Sequence, residues 1–86
     1  MLSEYIQAAL HKAKYKLLED DTYFGEIQGF KGVWANAELL EDCREAVRFA
    51  LEDWLVFSLQ NGFKIPIVNR IDLNRRGKIK AHAKVA

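Results

Sequence analysis

Three groups of residues in this chain of 86 have the right types for chemistry: a run of acids, two histidines with one cysteine, and a cluster of glycines. Glu19, Asp20, Asp21 and Glu26 are hard oxygen donors of the kind that hold magnesium. Magnesium catalysis wants carboxylates converging from separate strands. Three of these four are consecutive, the composition of a solvated turn, and they are read as turn residues. His11 and His82 lie far apart in sequence and suggest no shared site. Cys43 falls on an apolar helical face, where a thiol behaves as a small hydrophobe. As the only cysteine it excludes an internal disulfide and a multi-cysteine zinc site. The stretch GEIQGFKGVWANAE spaces Gly25, Gly29 and Gly32 as G-x3-G-x2-G. A phosphate loop needs G-x4-G-K before Ser or Thr, and a dinucleotide fold needs G-x-G-x2-G. Neither spacing is present. A strand between Gly32 and the next helix also leaves no helix N-terminus facing the glycines. The expectation is a chain with no catalytic residue, no metal ligand and no cofactor.

The elements that would position these residues follow from hydrophobic period. Ile6, Ala9, Leu10 and Ala13 recur at helical spacing, which predicts a helix over 2–13 with Ser3 as N-cap. Residues 14–19 alternate Tyr15 and Leu17 with Lys14 and Lys16, a strand with one wet face. The acidic turn 20–22 joins it to a second strand at 23–28, and the turn 29–32 leads to a third at 33–37. From Leu39 to Asn61, one helical face collects Leu40, Cys43, Val47, Ala50, Leu51, Trp54, Leu55 and Ser58. Acids in its first turn suit the helix dipole, and Asn61-Gly62 is a natural stop. Ile65, Ile67 and Val68 then suggest a last strand, placed at a sheet edge by Pro66. The predicted class is α+β in the order α-β-β-β-α-β, one long helix on a small, mostly antiparallel sheet. Residues 1–74 form a single domain, and 75–86 a basic flexible tail.

Charge and surplus apolar surface point to function. The net charge of +1 excludes a strong overall pull on nucleic acid, but residues 69–86 carry six basic side chains against Asp72, a net +5 on a body of about −4. Arg75, Arg76, Lys78 and Lys80 are the phosphate-contact candidates, set against a simply solvated tail. The run WLVFSL, from Trp54, is apolar nearly all round. A helix on one face of a small sheet buries one stripe, so Val56 and Phe57 need cover from the N-terminal helix or from a second subunit. With Trp54 and the edge residues Ile65, Ile67 and Val68 they make a candidate protein interface, in a homodimer or higher oligomer. The N-terminus has no secretory pattern and no apolar run approaches membrane-spanning length, so a cytoplasmic location is expected.

Residues from about Lys14 to Pro66 resemble the HicB-like antitoxin family of small bacterial domains. The acidic turn Glu19-Asp20-Asp21, Tyr23, the small residue Gly25, the apolar Phe30 and Gly32 occupy that family's pattern, as do Leu40, Cys43, Val47, Leu51 and Leu55 in the helix and the pair Ile65-Pro66. Lys31, Val33 and Leu39 depart from the family's proline, cysteine and capping threonine, leaving Asn36 or Glu38 to cap the helix. The resemblance implies a degenerate ribonuclease-H-like half-domain without catalytic acids. It implies that the domain inhibits a small, HicA-type mRNA interferase toxin by occluding its active site. Relatives carry a DNA-binding module after this domain; residues 69–86 are expected to form none.

Overall fold

In the computed structural model, which describes residues 1–74, helix α1 (Leu2–His11) leads into three strands and a long helix. The strands are β1 (Ala13–Leu17), β2 (Tyr23–Ile27) and β3 (Trp34–Ala37), and the second helix is α2 (Leu40–Asn61). The sheet is antiparallel in the order β1-β2-β3, with Tyr15 opposite Gly25 and Gly25 opposite Ala35. The chain is therefore α+β, as expected.

Alternation along the strands decides which face meets the helices. Tyr15, Tyr23, Gly25, Ile27, Ala35 and Ala37 turn inward. Cys43, Val47, Leu51, Leu55 and Ser58 form the buried spine of α2, at steps of four and then three. That is the stripe predicted from period, with Ala50 and Trp54 partly covered beside it, except that Leu40 at the helix start stays exposed. In α1 the buried pair is Tyr5 and Ala9, with Ile6 and Leu10 partly covered, so Tyr5 belongs to the stripe and Ala13 starts β1. Ser3 lies inside the helix, and Met1 stands at the cap position without a side-chain cap.

The turns explain the acids and glycines. At the β1–β2 tip the Asp20 carboxylate accepts from the Thr22 backbone N–H at 3.1 Å and from its hydroxyl at 2.6 Å, an Asx-type turn. These bonds hold the Asp20 carboxyl below its ordinary pKa. Between β2 and β3, Gly29 and Gly32 sit at φ of 88° and 89°, a left-handed conformation that favours glycine. The turn they frame drives Phe30 and Val33 into the core. Phe30 meets Tyr5 edge-on at 6.4 Å and Trp54 at 5.3 Å, tying the turn to both helices.

Two expectations are corrected. Leu39 precedes α2 without a side-chain cap, and neither Asn36 nor Glu38 substitutes. The Asn36 amide instead donates to the Thr22 hydroxyl and the Tyr23 carbonyl, each at 2.8 Å. The predicted last strand also does not form: residues 63–67 join no ladder, and Val68 and Ile71 make one isolated bridge. Pro66 has no N–H to offer. The Asn74 side chain takes the place of a neighbouring strand at Ile65, accepting from its N–H at 2.8 Å and donating to its carbonyl at 2.9 Å. Asn69 and Arg70, at φ of 49° and 67°, make the tight reversal that brings this clasp together. The Tyr5 hydroxyl donates to the Pro66 carbonyl at 2.5 Å and fastens the segment to α1.

This packing has two measurable consequences. A Cβ at Gly25 would stand 2.6 Å from the Tyr15 ring and 2.9 Å from a Val47 methyl. Gly25→Ala should therefore destabilise the chain by about 1–3 kcal/mol in urea unfolding, the usual cost of overpacking. Burial, and secondarily the negative charge of Asp72, pushes Tyr5 from 10.0 up to about 12. The folded chain holds that proton after the unfolded chain has lost it. Stability is then complete below pH 10 and falls as pH rises towards 12. Burial raises Tyr15 as well, opposed by Arg44, and adds to the same loss. Thermal melts across this range should show the decline, and Tyr5→Phe should reduce it while costing roughly 1 kcal/mol at neutral pH for the lost hydrogen bond.

Candidate functional site

The C-terminal half of α2 carries more apolar surface than the described residues cover. Trp54 is half-buried against Phe30, and Leu55 and Ser58 complete the spine. Val56 and Phe57 project outward, Phe57 with 56% of its surface exposed. Its ring meets Phe63 edge-on at 5.5 Å, and Phe63 and Ile67 are also mostly exposed. Beside them lies a cleft of about 540 Å³ whose lining includes Leu59, Phe63, Lys64, Ile67 and Asn74. The structure thus brings Val56, Phe57 and Ile67 to one end of the molecule and adds Phe63.

Ile65 and Val68 do not join them. At 1% and 2% exposure they are core residues, turned inward where an edge strand would have offered them outward. Phe63 was legible in principle: it follows the helix-ending Gly62, where no helical stripe claims it, and its N–H closes on the Ser58 carbonyl at 2.9 Å. Arg75, Arg76, Lys78 and Lys80 lie outside the described residues, as does His82.

The candidate chemical groups stay apart. Among the described residues no three of His, Cys, Asp and Glu gather where they could hold a metal ion. Glu26 stands on the outer sheet face directly across from Lys14, and not with the acids of the turn. His11 ends α1 at the rim of a shallow cleft of about 730 Å³ shared with Gln7, Tyr15, Arg44 and Arg48. Arg48 is held by Glu45 at 2.8 Å and Glu52 at 2.9 Å, and Arg44 lies over the Tyr15 ring at 5.9 Å. The Cys43 thiol is buried, with the Tyr23 and Ala35 carbonyls at 3.6 and 3.7 Å to accept from it. Burial pushes this thiol up, away from the thiolate.

What these features define is a small α+β domain, helix, three-stranded meander and long helix, with an exposed apolar group at the end of α2. Residues 4–66 match the UPF0150-like family, and the chain belongs to it. It is also similar to the crystal structure of TTHA0281 from Thermus thermophilus, with 35% identity and a TM-score of 0.80 over 88% of this chain and 95% of that one. No curated protein matches the chain. Among the described residues no helix is long and apolar enough to cross a membrane.

The state of Cys43 gives a direct check on this description. A thiol reagent should label the native protein far more slowly than the urea-unfolded chain. Rapid labelling at neutral pH without loss of structure would contradict the buried, protonated thiol.

Proposed function

We propose that this chain is a non-catalytic protein-binding module of the HicB-like antitoxin kind. It neutralises a small HicA-type mRNA-cleaving toxin in the cytoplasm by covering the toxin's active site, and it self-associates as a homodimer or higher oligomer. One observation carries the reading: the exposed apolar group of Val56, Phe57, Phe63 and Ile67 beside the cleft at the end of α2. Apolar groups rimmed by polar residues are what protein interfaces bury, and aromatic anchors contribute most of their energy. The residues that match the UPF0150-like family, 4–66, include the Tyr23, Gly25, Phe30 and Gly32 on which the HicB-like resemblance rests. Asp20, Asn74 and Arg48 are engaged in a turn, a clasp and ion pairs, and the apolar group at the end of α2 is suited to binding.

Phe57→Asp tests the reading, because its ring is exposed enough for the change to spare the core. The native partner recovered with the protein should be a small nuclease whose mRNA cleavage the wild type suppresses. The variant should bind it at least tenfold more weakly, about 1.4 kcal/mol or more. Equal inhibition by both proteins would remove this surface from the mechanism, and a partner without mRNA cleavage would remove the antitoxin role. Light scattering gives the second arm: an unchanged molar mass for the variant would separate self-association from the α2 surface.

A further inference from the structure

The outer face of the sheet holds a second exposed aromatic group, with different chemistry from the end of α2. Its outward side chains are Lys14 and Lys16 from β1, Phe24 and Glu26 from β2, and Trp34 and Asn36 from β3. Phe24 and Trp34 are diagonal neighbours, their rings stacked at 6.0 Å and 27°. Trp34 nevertheless keeps 56% of its surface exposed. The Lys16 ammonium lies 5.8 Å from the centre of the Phe24 ring. Alternate residues of a strand stand about 6.6 Å apart, so Lys14 and Lys16 form a short cationic row along one border of the aromatic pair. Lys12 extends the alternate spacing where the chain leaves α1.

A diagonal aromatic pair stabilises a sheet by itself, and that accounts for the contact between the rings. It does not account for an open Trp34 face on a sheet whose first strand turns two lysines to the same side. The composition selects the occupant. Interfaces between proteins are depleted in lysine and rich in packed apolar groups, whereas none of these six outward strand residues is aliphatic. Unpaired bases stack on exposed aromatic rings while lysines take the neighbouring phosphates. We infer that the outer sheet face binds a short single-stranded segment of nucleic acid, with a base on Trp34 and the backbone along Lys14 and Lys16. Glu26 lies on the middle strand between Lys14 and Trp34, where it partly offsets the Lys14 charge, and the acidic turn at Asp20 and Asp21 bounds the positive region at the far end of β1. They hold the footprint to about two or three nucleotides, the span of a small aromatic sheet platform. The surface shares no residue with the end of α2, so the inference stands independently of the antitoxin reading.

The experiment is fluorescence anisotropy of a short labelled oligouridylate titrated with the full chain at two salt concentrations. Wild type should bind in a salt-dependent manner, and unlabelled duplex RNA should compete poorly. Trp34→Ala should weaken binding roughly tenfold. Lys14→Gln with Lys16→Gln should weaken it and lower the salt slope by about 0.7 for each lysine. These lysines project to solvent, so the double variant decides the matter should Trp34→Ala fail to fold. Absence of binding, wild-type affinity in the variants, or equal competition by duplex would overturn the proposal. So would complete loss of binding on removal of residues 75–86, which would assign it to the basic tail, or a change from oligomer to monomer in Trp34→Ala, which would make this face a protein contact.

Discussion

The seat of α2 on the middle strand governs the rest of the molecule. With no side chain at Gly25, the Tyr15 ring and the Val47 methyl close over the backbone of β2, and the helix lies nearer the sheet than any larger residue would permit. That approach sets which helical positions are buried. Cys43 reaches the carbonyls of Tyr23 at the start of β2 and Ala35 within β3, and Val47 covers Gly25. Helix length then becomes decisive. Twenty-two residues span about 33 Å, while strands of four or five residues run about 13–17 Å. The helix outruns the sheet, and its second half must find cover from elsewhere.

The chain supplies that cover from both of its ends. Tyr5 and Ala9 of α1, Phe30 from the glycine-framed turn, and Ile65 and Val68 from the segment after α2 close over the overhanging part. The pieces are cross-braced: Phe30 touches Tyr5 and Trp54, Tyr5 bonds to Pro66, and Asn74 clasps Ile65. This explains why WLVFSL is apolar on more than one side. Part of it faces the sheet and part faces these additions, and the remainder at Val56 and Phe57 faces outward.

Sequence period recovers those elements whose partners are local. The α2 spine and both hairpin connections were legible because a stripe of 3.6, an alternation of two and turn residues at fixed places each carry their own signal. Apart from the ends of α1, the misreadings sit where a distant partner decides. Tyr5 reads as an ordinary aromatic near a chain end, and only the Pro66 carbonyl, 61 positions away, gives its hydroxyl a buried role. Ile65 to Val68 alternate like a strand, yet the sheet edge is not offered to them, and a single asparagine side chain satisfies the backbone of Ile65. Leu39 leaves α2 uncapped because Asn36, the nearest candidate, is drawn off by Thr22 and Tyr23 across the hairpin. At the candidate surface, Phe57 followed from helical geometry, whereas Phe63 needed the reversal at Gly62 to bring its ring back against the helix.

The two exposed aromatic groups differ in what surrounds them. Phe57 and Phe63 lie beside Val56 and Ile67, on an extension of the core where desolvation is the main driving force. Phe24 and Trp34 lie on a regular sheet beside lysines, with none of the six outward strand residues aliphatic, so ring faces and charge outweigh area. Burying the first group against a flat polar ligand would waste its apolar surface. Burying the second against a protein core would strip water from Lys14 and Lys16, a cost that only paired anions offset. Because α2 and its additions occupy one side of the sheet and no other described element covers the opposite side, a single short chain presents both kinds of surface without either intruding on the other.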